Sequence, residues 1–547
     1  MKSRKKYIYF ILFILVGVLT YSPLSNNETV NNQSAPKHNK IIDKLKTEIE
    51  NILASAGLKN TKYGLAIYSI DEKEYYYKKN IDDLLTPASN TKLFTTFAAL
   101  YTLGDEHIIN TSVYTDAKKI EPVLKGNLYI YGRGDALLKV TDLEVLAHKL
   151  QSLGIKKIEG NIYADDSYFD SVTNRKEYSN DADMVEPLPP ITALTLERNT
   201  ATVIATATAS GVSVTVIPRS ESFVIENNAT LASLNNGSGI KESNGQFIID
   251  GLADSKLITN YQLLITNYQK KDNAEMLNVG DAPPAPKRRK KGTMRITTAK
   301  MNGCRQKFIV NGKLRVGQTY AYMYFIDCPA MAVAGAFKNA MNNFGIEVTG
   351  NIYIKHIRDL KTKPMFVAEF GRPIMEIVET CNKESENFLA ENLFKIVGAY
   401  AGSYDKTSDK SRAVKRLIYD SLGIDFKKCQ INDGSGLSRR NLVTTRALIA
   451  TLIKSQYLPF AENFYNSLAI AGIDGTLYKR MVGTPAENNV CAKTGTLRNV
   501  SSLAGYVNTV DGELLAFAMI FNGPYVYNYK ATENKIAILL AGFGNEE

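Results

Sequence analysis

Two residues of the sequence, Ser89 and Lys92, have the types and the spacing of a nucleophile and its base. Lys92 follows Ser89 by three positions, so on a helix the two side chains share one face and the amine can reach the hydroxyl. The segment around them opens an apolar helix pattern, where burial would lower the pKa of Lys92. The sequence therefore predicts a serine nucleophile that a lysine activates.

Two further segments supply polar groups for the same site. Ser385 and Asn387 lie two residues apart in a helical stretch and offer a hydroxyl and an amide. Lys493, Thr494 and Gly495 lie in a strand pattern, so Lys493 and its neighbours would line the edge of a cleft. A lysine beside hydroxyls suits a terminal carboxylate, and Gly495 would leave room for a substrate backbone. Ser-x-x-Lys and Ser-x-Asn also occur elsewhere, so the prediction depends on the combination.

Histidine and cysteine patterns give no support to a metal site or a Ser–His–Asp triad. No histidine lies within ligand spacing of another histidine or of a cysteine, and no serine occupies a Gly-x-Ser-x-Gly elbow. The sequence therefore predicts neither a metal nor an organic cofactor. Pairing of Cys304 with Cys328 stays open, and the odd number of cysteines, five, leaves at least one thiol free.

Composition and charge exclude several classes of protein. The chain has 547 residues, of which 44% are hydrophobic and 22% charged, which argues against global disorder and against a multi-span membrane protein. Its net charge of +11 is concentrated in residues 2–6 and in the run 287–291 (KRRKK), so the remaining chain is close to neutral. No nucleic-acid partner is therefore predicted, and KRRKK is predicted to be a solvated loop.

The N-terminal segment predicts export. Basic side chains precede an uncharged apolar run at residues 7–19, which is long enough for a signal peptide but short for a membrane-spanning helix. Residues 1–22 are predicted to be a signal peptide or an N-terminal anchor, and residues 23–40 a linker. Membrane anchoring through this segment stays open, and the predicted location is the periplasm or the outer face of the cytoplasmic membrane.

The middle of the chain contains a weak repeat. Residues 143–163 and residues 332–353 each give a helix pattern, a turn with Gly-Ile, and a strand that opens Gly-Asn-Ile-Tyr. Between the copies, residues 195–310 are rich in Thr, Val, Ser and Gly with short alternating runs, which predicts a β-rich unit. This order predicts an outer domain interrupted by a second domain, which is itself interrupted by a third.

The three polar motifs, in this order and structural context, resemble those of the penicilloyl serine transferases, the group of penicillin-binding proteins and serine β-lactamases. Further stretches are similar to the D-alanyl-D-alanine carboxypeptidase/endopeptidase family, the low-molecular-mass class C penicillin-binding proteins. These stretches are GRGDALL (132–138), DDSYFD (165–170), ITALTLERN (191–199), SENFLAENL (385–393), NDGSGLSRRN (432–441), AGIDGTLYKR (471–480) and AKTGTLRNVSSLAGY (492–506). The resemblance covers roughly residues 40–545.

The resemblance implies an α/β (α+β) fold, with a β-lactamase/transpeptidase-like domain of antiparallel sheet flanked by helices and two nested inserted domains. The peptidase domain would comprise residues 41–105 and 365–547. Inserted domain II would comprise residues 106–190 and 322–364, and the β-rich inserted domain III residues 191–321.

Catalytic roles follow from the resemblance, motif by motif. Ser89 would be the acylated nucleophile and Lys92 its base. Ser385 would relay a proton between the two motif lysines, and Asn387 would hold the substrate amide and Lys92. The N–H groups of Ser89 and Thr496 would form the oxyanion hole.

The resemblance also implies substrate contacts. Lys493, Thr494 and Thr496, with Gly495 between them, would bind the terminal D-Ala carboxylate. The DDSYFD stretch is where relatives place an acidic contact to the diamino acid of the stem peptide, and either Asp165 or Asp166 could fill this role.

The function implied is an exported serine DD-peptidase that acts on peptidoglycan stem peptides and that β-lactam antibiotics inhibit covalently. It would cleave D-Ala–D-Ala ends, cross-links between stems, or both. Two alternatives stay open at this point, a serine β-lactamase and a non-catalytic cell-wall-binding protein.

Overall fold

The structure is a computed structural model that describes residues 34–179, 181, 187–232, 294–401 and 429–544. The predicted signal segment and the KRRKK run lie outside these residues. The chain divides into two compact units, Met1–Glu48 and Ile49–Glu547, and all the elements that carry the candidate site belong to the second. Within the described part of the chain, no helix combines the length and the apolar character needed to cross a membrane.

The described helices are α1 (Ser34–Ser55), α2 (Thr91–Leu103), α3 (Val140–Ser152), α4 (Arg175–Ser179), α5 (Pro329–Asn343), α6 (Ile374–Lys383), α7 (Asn387–Ala401), α8 (Thr445–Gln456), α9 (Ala461–Asn466) and α10 (Val526–Ala541). The described strands are β1 (Lys62–Ser69), β2 (Glu74–Lys79), β3 (Ile108–Thr115), β4 (Val123–Leu124), β5 (Leu128–Gly132), β6 (Lys157–Ile158), β7 (Ile162–Asp165), β8 (Thr200–Thr208), β9 (Gly211–Ile217), β10 (Phe223–Leu231), β11 (Arg295–Met301), β12 (Arg305–Leu314), β13 (Thr319–Phe325), β14 (Glu347–Val348), β15 (Ile352–Ile354), β16 (Met365–Pro373), β17 (Ala469–Ile470), β18 (Cys491–Leu497), β19 (Val500–Asn508) and β20 (Leu514–Asn522).

An antiparallel sheet joins the two ends of the chain. Its described strands run in the order β17-β18-β19-β20-β1-β2. Successive residues of β19 and β20 are buried, which requires cover on both faces, because neighbouring side chains of a strand point to opposite sides. Helices α8 and α10 both pack against these strands. Helices α2 and α7 pack against each other and carry the first two predicted motifs.

The inserted part of the chain forms further sheets. Strands in the order β15-β7-β5-β3-β16 make a mixed sheet, against which α3 and α5 pack. Strands β8 to β13 make two sheets, β13-β8-β9 and β10-β12-β11, in the region predicted to be β-rich. The boundary predicted at residue 365 falls on the first residue of β16, which pairs with β3 in the mixed sheet.

The predicted repeat forms adjacent parallel strands of this mixed sheet, and a third copy accompanies it. The tetrapeptides at residues 126–129 (GNLY), 160–163 and 350–353 (both GNIY) pair in register across β5, β7 and β15. Their tyrosine rings stack, with centroids 5.1 Å apart between Tyr129 and Tyr163. The sequence analysis identified two of these copies and missed the first.

Asparagines bind the three copies together. The backbone N–H of Asn161 donates to Asn127 Oδ1 at 2.8 Å, and that of Asn351 donates to Asn161 Oδ1 at 3.0 Å. The glycines let the chains approach closely, since a Cβ on Gly160 would lie 2.5 Å from the carbonyl carbon of Gly126. Each residue of the repeated Gly-Asn pair therefore has a packing role.

Two hydrophobic cores follow this arrangement. One gathers residues from 66–109 and 374–520, together with four residues between 136 and 193. The other gathers residues between 113 and 368. The second core joins residues of both predicted inserted domains, and the division into three domains stays a prediction.

Candidate active site

Ser89 lies in a short 3-10 turn, Ala88–Asn90, directly before α2. Ala88 adopts a φ of +50°, which is uncommon for a residue with a side chain and marks local strain. Lys92 follows in the first turn of α2 and is fully buried, while Ser89 is half-buried. The helix therefore presents a buried amine to a partly accessible hydroxyl, as its i, i+3 spacing predicts.

Three oxygen atoms surround the amine of Lys92. Its Nζ lies 2.9 Å from Ser89 Oγ, 2.7 Å from Asn387 Oδ1 and 2.7 Å from the carbonyl oxygen of Ser435. The amide and carbonyl oxygens can only accept, so they take two N–H groups of a neutral amine. Its lone pair is then left for the hydroxyl proton of Ser89, which is the geometry that a general base requires.

Burial lowers the pKa of Lys92 and favours this neutral form, although nearby Cys381, Glu386, Glu391 and Asp433 act in the opposite direction. Burial, together with the positive charge of Lys92, lowers the pKa of Lys493 well below its usual range. Two buried amines close together thus disfavour each other's protonation.

The second motif lies in the turn between α6 and α7. Ser385 has a φ of +59°, and Asn387 is the first residue of α7. In the described residues, the side-chain hydrogen bonds of Lys92 and Lys493 go to groups other than Ser385. The structure thus brings Asn387 onto Lys92, and the proton relay through Ser385 stays a prediction.

The third motif approaches the nucleophile through Gly495. A Cβ there would overlap Ser502 Oγ and lie 2.7 Å from the Pro87 carbonyl oxygen and 3.1 Å from the backbone nitrogen of Ser89. The glycine was expected to leave room for a substrate backbone. Its observed contacts instead let β18 lie against the nucleophile turn. The exposed Thr496 follows directly, and its part in an oxyanion hole with Ser89 stays a prediction.

Lys493 and Thr494 are both buried on β18. Lys493 Nζ donates to the Thr494 carbonyl oxygen at 3.1 Å, and the Thr494 hydroxyl donates to Thr476 Oγ1 at 2.8 Å. Thr476 belongs to the AGIDGTLYKR stretch and was not identified as a site residue. Only its place in that stretch could have indicated it.

The NDGSGLSRRN stretch forms a turn behind Lys92, with Asp433 at its centre. The carboxylate of Asp433 accepts from the N–H groups of Gly436 and Ser438 and from the Asn441 amide. Arg175 of α4 donates to it at 2.9 Å, and both charged side chains are buried. This turn provides the carbonyl that Lys92 meets, and the sequence analysis assigned none of its residues to the site.

The acidic candidates of the DDSYFD stretch differ in their surroundings. Asp165 is buried, and its carboxylate accepts from the N–H groups of Ser167 at 2.9 Å and Ile357 at 2.6 Å. Asp166 is partly exposed, and its carboxylate lies 3.8 Å from His356 Nε2. Burial raises the pKa of Asp166. Among the described residues, neither carboxylate hydrogen-bonds to the residues around Ser89.

A strained turn of the inserted region reaches the second motif. Glu197, Arg198 and Asn199 have consecutive φ values of +47°, +55° and +57°. Arg198 Nη1 lies 3.7 Å from Glu386 Oε1, between the two motif residues Ser385 and Asn387. The sequence analysis gave Arg198 no role, because nothing in a single sequence indicates a left-handed turn without glycine.

The helix-flanked antiparallel sheet and the buried lysine between a serine and an asparagine define a serine peptidase of the penicillin-binding class. The chain belongs to the D-Ala-D-Ala carboxypeptidase 3 (S13) family, whose sequence pattern matches residues 45–249 and 265–542. The predicted family and the predicted serine-type D-Ala-D-Ala carboxypeptidase function are thereby confirmed.

Two relatives extend over most of the chain. The D-alanyl-D-alanine carboxypeptidase of Actinomadura sp. (strain R39) is 29% identical over 520 residues, covering 92% of this chain and 86% of that protein. The D-alanyl-D-alanine carboxypeptidase DacB of Haemophilus influenzae is 25% identical and covers 84% of this chain and 85% of that protein.

A solved structure has the same fold. Penicillin binding protein 4 (dacB) of Haemophilus influenzae superposes with a TM-score of 0.63 at 21% identity, covering 89% of this chain and 99% of that one. A structure of the same protein in complex with a β-lactam gives a TM-score of 0.61. The predicted fold class is confirmed by this likeness.

Proposed function

We propose that this protein cleaves the D-Ala–D-Ala bond of peptidoglycan stem peptides through an acyl-enzyme on Ser89. The observation that carries the proposal is the setting of Lys92, whose amine has two acceptors and faces the serine hydroxyl at 2.9 Å. The names of the two relatives, both D-alanyl-D-alanine carboxypeptidases, support the choice of substrate.

Acylation begins with the proton of Ser89. Lys92 accepts it as the oxygen attacks the carbonyl carbon of the penultimate D-Ala, forming a tetrahedral intermediate. The N–H groups of Ser89 and Thr496 stabilise the negative charge on the carbonyl oxygen. The proton then passes to the leaving amine, with Ser385 as relay between Lys92 and Lys493, and D-Ala departs. Water, activated in the same way, hydrolyses the ester and returns the proton to Ser89.

Substrate recognition divides between the two ends of the stem peptide. Lys493, Thr494 and Thr496 bind the terminal carboxylate. The Thr494 hydroxyl then turns its proton from Thr476 to the carboxylate, and the Thr476 hydroxyl donates to Thr494 in exchange. We assign the contact with the diamino acid to Asp166, because the carboxylate of Asp165 is already occupied by two backbone N–H groups.

We further infer that the protein works outside the cytoplasm, where its substrate lies. Residues 1–22 direct export, either as a cleaved signal or as an anchor, to the periplasm or the outer face of the cytoplasmic membrane. β-Lactam antibiotics acylate Ser89 in place of the peptide. The proton transfers use no residue of the two inserted domains, residues 106–190 with 322–364 and residues 191–321, although Asp166 of the first contacts the substrate.

Release of free D-Ala from a stem pentapeptide tests this function. We expect the wild type to release D-Ala and Ser89→Ala to release none, while Ser152→Ala, an exposed serine of α3, retains wild-type activity. A cross-linked stem dimer in the same assay reports the endopeptidase reaction. Equal D-Ala release by Ser89→Ala and the wild type would contradict the proposal.

A further inference from the structure

A buried carboxylate outside the three motifs touches the turn behind Lys92. Glu391 is fully buried on α7, four residues after Asn387 and therefore on the same face of the helix. One oxygen of its carboxylate accepts from the Ser435 N–H at 2.9 Å. The other accepts from the Gly434 N–H at 3.2 Å and from the Tyr178 hydroxyl at 2.7 Å.

The charge state of Glu391 follows from these partners. Each of its oxygens accepts from a backbone N–H, which is the arrangement of an ionised carboxylate. The pKa of Glu391 is raised overall, by burial and by the negative charge of Asp433, and the hydrogen bonds from Ser435, Tyr178 and Gly434 counteract this increase in part. The hydrogen bonds thus offset part of the cost of burying this charge.

The backbone of Ser435 connects Glu391 to the base. The N–H of Ser435 points to Glu391, and the carbonyl oxygen of the same residue accepts from Lys92 Nζ at 2.7 Å. Helix α7 thus controls both acceptors of the amine, one directly through Asn387 and one through the Glu391–Ser435 contact. If the carbonyl moved, the lone pair of Lys92 would no longer face Ser89.

We propose that Glu391 is a positioning residue, which holds the Ser435 carbonyl in place and thereby aims the amine of Lys92 at Ser89. This inference rests on the proposed function, because it concerns the base of that reaction. Glu391 touches no substrate, and its effect passes through the Gly434–Ser435 backbone.

Charge gives Glu391 a second effect, which a purely structural brace would lack. The titratable groups that face Lys92 are Cys381 of α6, Glu386 of the turn between α6 and α7, Glu391 of α7, Asp433 of the NDGSGLSRRN turn, and Lys493 of β18. Glu391 is one of the groups that raise the pKa of Lys92 against the effect of burial. Loss of the Glu391 charge would therefore lower the pKa of Lys92, so that Lys92 would act as a base at lower pH.

Two substitutions of Glu391 distinguish its effect on the position of the Ser435 carbonyl from the effect of its charge on Lys92. In Glu391→Gln the amide nitrogen replaces one acceptor and the charge is lost. We expect penicillin acylation to fall roughly 10- to 100-fold, and the acid limb of its pH profile to move to lower pH. Glu391→Asp keeps the charge but withdraws it by one methylene. Here we expect a similar loss of rate, with the acid limb unmoved.

Glu533 offers a matched control. Like Glu391, it is a fully buried carboxylate. Its own partners are Ser501 at 2.6 Å and Arg480 at 2.9 Å, and it is not among the groups that face Lys92. Glu533→Gln should lower the Tm about as much as Glu391→Gln, yet leave the acylation rate within about twofold and the acid limb unchanged.

The outcomes distinguish this inference from the proposed function. A wild type that penicillin does not acylate contradicts the proposed function itself. The inference is overturned, and the proposed function stands, if penicillin acylates the wild type and both Glu391→Gln and Glu391→Asp match Glu533→Gln in acylation rate and in the acid limb of the pH profile. If Glu391→Gln does not fold, the acylation rate of Glu391→Asp decides it: a 10- to 100-fold loss supports the inference, and a rate within about twofold of Glu533→Gln overturns it.

Discussion

The residues around Ser89 and the three Gly-Asn-x-Tyr strands are organised on opposite principles. Around Ser89, groups from distant parts of the chain converge, namely the side chains of Lys92 and Asn387 and the backbone carbonyl of Ser435. Lys92 is buried, and the backbone is strained at Ala88 and Ser385. In the repeat, glycine, asparagine and tyrosine recur at the same three positions of each copy, and the copies pair with one another in register.

The difference lies in what each arrangement costs and provides. Burying Lys92 disfavours its charge, and the carboxamide of the neighbouring Asn90 is buried without a hydrogen-bond partner among the described residues. The repeat satisfies its asparagines in a regular ladder. We infer that the first region gives up stability for reactivity, whereas the second supplies stability to the inserted domains.

The sharpest test of this contrast replaces two buried lysines. Lys92→Met should reduce penicillin acylation on the order of 10³-fold, because the general base is lost. Lys395→Met removes a buried lysine that pairs with Asp170 at 2.9 Å, and should mainly lower the Tm, with acylation changed only a few-fold. Similar rates for the two variants would contradict the role of Lys92.

Crowding the Gly-Asn-x-Tyr repeat should lower the stability of the fold and leave penicillin acylation almost unchanged. Gly160→Ala places a methyl group against the Gly126 carbonyl and should destabilise the fold by about 2 kcal/mol. Acylation at a temperature below both transitions should change little. Gly542→Ala, where the nearest atom to the new Cβ lies at 3.6 Å, is the control and should keep the wild-type Tm. Loss of acylation in a folded Gly160→Ala protein would show that the two regions are not independent.

A third test addresses the turn at Asp135, which lies between the two cores. Burial raises the pKa of Asp135 to about 6, above its unfolded value, despite nearby Arg372. The folded state therefore binds the proton more tightly, and stability is lost as the pH rises from about 4 to about 6. Asp135→Asn should raise the free energy of unfolding relative to wild type more at about pH 8 than at about pH 4, by roughly 3 kcal/mol. An equal difference at both pH values would count against this account.

The smallest effect is expected at Thr476. Thr476→Val keeps the shape of the side chain but removes the hydroxyl that pairs with Thr494 and donates to it once substrate is bound, which costs about 1 kcal/mol. The value of kcat/KM for D-Ala release should fall three- to tenfold, by roughly that energy, with an unchanged Tm. A normal kcat/KM would mean that the Thr494 hydroxyl needs no orientation.

The sequence predicted what depends on local spacing. The Ser89–Lys92 pair, the helix and strand patterns around the motifs and two copies of the repeat could all be identified because each lies within a short segment. The family resemblance supplied the relation of Asn387 to Lys92, and the structure agrees with it.

What the sequence did not predict depends on long-range packing. The Ser435 carbonyl is a backbone group, so no residue type signals it, and Glu391 resembles any helix residue until the turn is placed against it. Gly495 was assigned to substrate clearance, whereas its contacts show a close approach of β18 to Pro87 and Ser89. The strained turn at Arg198 likewise has no local signature.

The most direct test of the central claim is the intact mass of the protein after incubation with benzylpenicillin, measured beside Ser89→Ala. The account predicts a persistent adduct of one penicillin on the wild type and none on the variant. An adduct of equal amount on Ser89→Ala, or consumption of penicillin by an unmodified wild type, would contradict an acyl-enzyme on Ser89 that belongs to a DD-peptidase.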